Sequence, residues 1–142
     1  MCPVIQLCDG VGVGGVVGTQ FVLPDLVEKH STSDLTPQRE KIFEEWLRIY
    51  KDKMLSRGEY LGDLYDLGFD RPEAHVIRKN QELYYAFFAP QWRGPIELRG
   101  LEDRDYGITD YVHHKDLGKV HGPKARISAE FHQHLLLEAR PQ

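Results

Sequence analysis

Hydrophobic positions change period near the middle of this chain. From residue 37 to residue 57, Ile42, Phe43, Trp46, Leu47, Ile49, Tyr50 and Met54 recur every ~3.6 residues, which predicts an amphipathic helix. Lys41, Glu44, Glu45, Arg48, Lys51 and Asp52 fill the opposite face, and Glu44 and Arg48 have the favourable i,i+4 order. Thr36 can cap the free N–H groups, and Pro37 suits the first helical position. Lys53 and Arg57 suit the C-terminal turn, and Gly58 is placed as the C′ residue. The apolar stripe is wide and needs a partner surface.

From Val76 onward the period becomes two. Leu83–Ala89 is apolar on both faces, as in a central strand. Ile96 and Leu98 alternate with Glu97 and Arg99, and Ile127, Ala129 and Phe131 alternate with polar residues. Leu135–Glu138 reads as a final strand. Asn80-Gln81, Arg93-Gly94, Leu117-Gly118 and Gly122-Pro123 read as turns. The pattern predicts an antiparallel β-sandwich or small barrel of short strands. Before the helix, Val4–Cys8 and Thr19–Leu23 read as strands around a glycine-rich stretch. Between helix and sheet, 59–72 reads as irregular, with one helical turn.

With 142 residues the chain can bury a core of its own. Its net charge of −4 offers no basic surface for nucleic acid or anionic lipid. No apolar run approaches the ~20 residues that span a bilayer, and no signal peptide is expected at Met1–Leu7. Cys2 and Cys8 read as reduced thiols, which predicts a cytoplasmic protein.

Several residues could carry chemistry. Gly10-x-Gly12-x-x-Gly15 formally matches a dinucleotide fingerprint, but the following Val16–Val22 is β-like where a helix should begin. A flexible glycine loop is the favoured reading, and there Gly14 and Gly15 would let the backbone approach a ligand closely. Asp9, at a strand end, is a candidate carboxylate, set against an Asp that merely caps the turn. His113, His114, His121, His132 and His134 raise a zinc site, with exposed strand and turn histidines as the favoured alternative. Trp92, Tyr106 and Tyr111 could stack on sugar, although strand aromatics are more often core. Trp92 is the exception because it lies in the predicted turn Pro90–Gly94. No cofactor and no bound metal are expected.

Ordered blocks carry a resemblance. Gly14-Gly-Val-Val-Gly-Thr-Gln-Phe21, the helix through Trp46 and Tyr50, Met54–Tyr60 and Leu64–Glu73 look like late barrel segments of bacterial melibiase-type α-galactosidases. Tyr84–Ala89, Glu97–Leu101, Asp110–Val112, Leu117-Gly118, Gly122-Pro123 and His134–Glu138 resemble the C-terminal antiparallel β-domain of the same glycoside hydrolases. The resemblance implies an incomplete (β/α)8 barrel remnant over residues 1–75 and a β-sandwich domain over 76–142. A whole barrel takes ~250 residues, so it cannot fit beside a β-domain here. Retaining hydrolysis of terminal α-galactosides needs two carboxylates ~5–5.5 Å apart. By resemblance Asp9 would be the acid/base and the nucleophile would lie outside the chain; from the glycine loop and the turn aromatic, Gly14, Gly15 and Trp92 are the candidate substrate contacts. The implied partners are a carbohydrate substrate of the parent enzyme and the missing barrel half, or self-association through the helix face. A free-standing β-sandwich that binds carbohydrate or protein is the alternative.

Overall fold

The computed structural model describes residues 10–15 and 36–142. Helix α1 spans Pro37–Lys53, and a 3-10 turn follows at Leu55–Arg57. The strands are β1 (Glu59–Tyr60), β2 (Glu73–Lys79), β3 (Glu82–Leu98), β4 (Asp105–Asp110), β5 (Lys115–His121) and β6 (Ala125–Pro141). They form one antiparallel sheet in the order β1-β2-β3-β6-β4-β5. The expected strands Val4–Cys8 and Thr19–Leu23 lie outside the described residues.

The helix starts as its sequence predicts. Thr36 Oγ1 accepts the Arg39 backbone N–H at 3.3 Å, with Pro37 inside the first turn. Its end differs. Met54, not Gly58, takes the left-handed conformation, with φ 45°, and its N–H bonds to the Tyr50 carbonyl. Gly58 is extended and serves close packing: a Cβ there would lie 2.4 Å from Ile77 Cγ2.

The two faces of the sheet carry separate cores. Leu83, Tyr85 and Phe87 of β3 join Val76, Ile108, Leu137 and Ala139 on one face. Tyr84 and Ala86, the alternate residues, join Leu136, Ile77 and Tyr111 on the other, where Trp46, Leu55 and Val11 cover them. This explains the two-faced apolar run Leu83–Ala89, since α1 and the 10–15 segment roof the second face. Lys53 Nζ lies 3.3 Å from the buried Glu138 carboxylate, which also accepts the Tyr84 hydroxyl at 2.9 Å. The end of α1 is thereby tied to the sheet.

Two long strands replace the expected run of short ones. β3 and β6 pair over their whole lengths, with a bulge between Ala89 and Gln91. Pro90, Trp92 and Gly94 lie within β3, so the expected turn at Pro90–Gly94 is absent. A proline has no ladder donor to lose at a bulge, which is why the strand continues through it. Leu117-Gly118 is likewise inside β5, opposite the irregular step at Ile108/Thr109 of β4. Asn80 and Gln81 do turn, with φ 52° and 68°, in a two-residue hairpin.

The layering predicted as a sandwich arises from one sheet curling on itself. The Tyr85 hydroxyl donates to the Arg99 carbonyl at 2.7 Å, although the residues are fourteen apart. A straight strand would separate them by roughly 45 Å. The far part of β3 therefore bends back over the first core, bringing Ile96 and Leu98 onto Tyr85 and Phe87. Residue 75, the expected domain division, falls inside β2, and β1 pairs across it.

Candidate functional site

The bend in β3 leaves a cleft of about 500 Å3 between the far part of the strand and the loop before β2. Phe87 forms part of its floor, with 1% of its surface exposed. Arg99 organises the loop side. Its guanidinium holds Asp70 through two bonds of 2.9 and 3.1 Å, bonds the Leu64 carbonyl at 3.0 Å, and lies 4.8 Å above the Tyr65 ring. It also lies 2.9 Å from Glu97. Tyr65 completes the clamp by donating to the Glu97 carbonyl at 2.6 Å and accepting the Arg99 N–H at 3.0 Å.

Glu97 faces Arg126 across the β3–β6 ladder, and their side chains form an ion pair. Backbone bonding from Asp66, then the Arg99 bonds, hold the Asp70 carboxyl below its ordinary range. Arg99, then Arg126, do the same for Glu97. Both are therefore carboxylates at neutral pH, and neither can donate a proton as a glycosidase acid must. Burial pushes the Tyr65 phenol up to about 12, so it acts as a hydrogen-bonding strut and not as a base. Counted by charge, Arg71, Arg93, Arg99 and Arg126 line the cleft against only Asp70 and Glu97.

Of the sequence-nominated residues that the structure describes, the fold brings only Trp92 to this cleft. Its indole N–H is buried and meets no acceptor among the described residues. Gly14 and Gly15 lie elsewhere, Gly14 against Leu55 and Ile77 and Gly15 against Gly10. Residues 10–12 are helical, Gly15 N–H bonds the Gly10 carbonyl at 2.7 Å, and Gly14 N–H bonds that of Val11 at 3.2 Å. That pair of bonds, with Gly14 at φ 75°, is a Schellman helix end. A dinucleotide site needs a helix start at this point, so the formal fingerprint is a helix cap. Asp9 lies outside the described residues. Tyr106 and Tyr111 are core, with 2% and 3% exposed.

The histidines are spread apart. His113 is bound by Asp110, His121 by Asp105 and Asp103, and His134 sits edge-on to Trp46. Among the described residues no group of three His, Cys, Asp or Glu is set to hold a metal ion. No described helix is long and apolar enough to cross a membrane. Arg99, Asp70, Arg71 and Arg126 escape a reading of the sequence. Only the cross-strand Glu97–Arg126 pair carries a signal, and it needs the β3–β6 register to be known.

No family model matches the chain. The chain is 33% identical over 145 aligned residues to an A type blood α-D-galactosamine galactosaminidase from Flavonifractor plautii. That match covers 96% of this chain and 13% of the relative, so the chain spans about an eighth of the relative's length. The crystal structure of α-galactosidase I from Mortierella vinacea superposes with a TM-score of 0.51. It matches 97% of this chain and 35% of that one at 9% identity, a likeness of fold alone. The chain is thus similar to a portion of a galactosidase- or galactosaminidase-type glycoside hydrolase, in line with the resemblance carried by its ordered sequence blocks.

Proposed function

We propose that this chain is a C-terminal, non-catalytic portion of an α-galactosidase-like glycoside hydrolase. The observation that carries this reading is the match of nearly the whole chain to 13% of one galactosaminidase. In the parent enzyme the reaction would be removal of terminal α-galactosyl or α-galactosaminyl residues with retention. The residues before β1 are then the end of a barrel, with α1 as a late barrel helix. Asp9 is its one candidate acid/base, Gly14 and Gly15 are its candidate substrate contacts, and the nucleophile belongs to the rest of the enzyme. Ile49 and Tyr50 of α1 pack on the second core and stay partly exposed, as does Leu47, and that remaining apolar area is what the rest of the barrel or a second copy would cover.

The paired state of Asp70 and Glu97 supports the non-catalytic reading, because the cleft they line holds no protonated carboxyl. The purified chain is expected not to turn over a nitrophenyl α-galactoside or α-N-acetylgalactosaminide. Clear turnover, abolished by Asp9→Asn, would overturn the proposal.

One observation favours a second reading, a self-sufficient carbohydrate-binding module. Trp46 of α1 is buried on the chain's own sheet, so the helix does not lack an internal partner. Sedimentation separates the two. A stable monomer supports the module, and association abolished by Leu47→Glu supports the incomplete barrel.

A further inference from the structure

The cleft beside Trp92 has the features of a binding site without a reaction. Its volume suits one or two sugar rings, since small-molecule sites run ~300–1,000 Å3. Its wall offers a half-exposed indole, a surface on which a pyranose face can lie. The indole N–H is itself buried and has no acceptor among the described residues, so the contact the ring offers is through its exposed carbon surface.

The charge of the cleft is opposite to that of the chain. On a protein of net charge −4, this one concavity gathers four arginines against two carboxylates. Arg99 is fully engaged by Asp70, Glu97 and the Leu64 carbonyl, and Arg126 is engaged by Glu97. Arg93 lies 3.8 Å from Glu130, both exposed. Arg71 is exposed and makes no ion pair among the described residues. Arg71 is therefore the uncommitted cation of the cleft lining, and a guanidinium can take an anion through two parallel bonds.

We propose that this cleft binds an anionic saccharide, with the sugar ring on Trp92 and its carboxylate or sulfate ester on Arg71. Arg93 and Arg126 form the basic rim, and Arg99 is a positioning residue that fixes the loop carrying Arg71. The saccharide part of this inference rests on the glycosidase relationship, whereas the anionic part rests on the cleft.

Calorimetric titration of the full chain at low salt tests it, with D-galacturonate, D-galactose 6-sulfate, D-galactose and inorganic sulfate as probes. One of the two anionic sugars should bind about tenfold more tightly than galactose, the gain expected from one charge-assisted pair. Which of them binds better identifies the acid group. Arg71→Gln should erase that difference while leaving residual sugar binding, and Trp92→Ala should weaken all sugars together. Should Trp92→Ala fail to fold, Trp92→Phe keeps a smaller aromatic face, and it should weaken binding of all the sugars several-fold. Galactose binding as well as either anionic sugar overturns the anionic inference but leaves the proposed function standing. Inorganic sulfate binding as tightly as the sugars, or no sugar binding, overturns the saccharide assignment. The hydrolysis assay is independent of all these outcomes.

Discussion

On the N-terminal side of Pro90, every residue of β3 from Leu83 to Phe87 is buried, and the two faces feed two different cores. On the other side, Gln91, Arg93 and Pro95 are exposed, and only Ile96 and Leu98 are buried. The same strand, paired throughout with the same partner, is scaffold in one half and surface in the other. The difference lies in what covers it. The first half has α1 and the 10–15 segment on one face and the curled sheet on the other. The second half supplies that curl: Trp92, Ile96 and Leu98 turn toward the first core, Gln91, Arg93 and Pro95 stay exposed, and the cleft draws residues from both sets. A bulge at Pro90 is enough to separate the roles, because it lets the ribbon bend without breaking the ladder.

The largest expected effect breaks the first half. Leu137 is fully buried opposite Tyr85, and Leu137→Ala should lower unfolding stability by roughly 3 kcal/mol. Arg93→Ala, on the exposed side of the second half, should change it by no more than about 0.5 kcal/mol, as surface positions do. Equal losses in urea denaturation would mean that the second half is scaffold too.

A smaller effect concerns the loop that closes the cleft. Leu67 and Phe69 are 52% and 88% exposed, yet their loop is held in place by the Asp70–Arg99 pair. Asp70→Asn should speed proteolysis near Phe69 while leaving the first half of β3 protected in hydrogen exchange. Uniform loss of protection would show that the loop and the scaffold are one cooperative unit.

The smallest effects are pH-dependent, and the two ends of the sheet should show opposite signs. The carboxyls of Asp70 and Glu97 are depressed in the fold, so their contribution is present above the ordinary carboxylate range and fades as pH falls through their lowered values. His121 is raised by Asp105 and then Asp103, so its contribution is present below the ordinary histidine value and fades as pH rises through the raised one. Melting curves of Asp103→Asn against the parent should differ on the acid side of neutrality and converge at higher pH. A constant difference would contradict the assigned sign.

Helix α1 was legible because its period, its Thr36-Pro37 start and its basic end agree at short range. The buried half of β3 was legible because an apolar residue at every position leaves few alternatives. What could not be read depended on distant partners. Proline and glycine signal turns locally, and only the facing strand, with Gln91 opposite His132, shows that the chain runs straight through Pro90. The glycines at 10–15 spell a phosphate loop and a helix cap in nearly the same letters, and the backbone bonds of Gly14 and Gly15, with Gly14 packed on Ile77 and Leu55, distinguish the two. The Arg99 clamp joins residues about thirty positions apart, with no local pattern to announce it.

The two tryptophans of the chain fall one in each region, Trp46 on the helix over the first half of β3 and Trp92 in the cleft of the second. The two indole N–H signals in a 1H–15N spectrum, followed while D-galacturonate or D-galactose 6-sulfate is added, therefore report on the division directly. The account predicts that the Trp92 signal moves and saturates with at least one of these sugars while the Trp46 signal stays in place. Movement of Trp46 alone, or of neither, would contradict it.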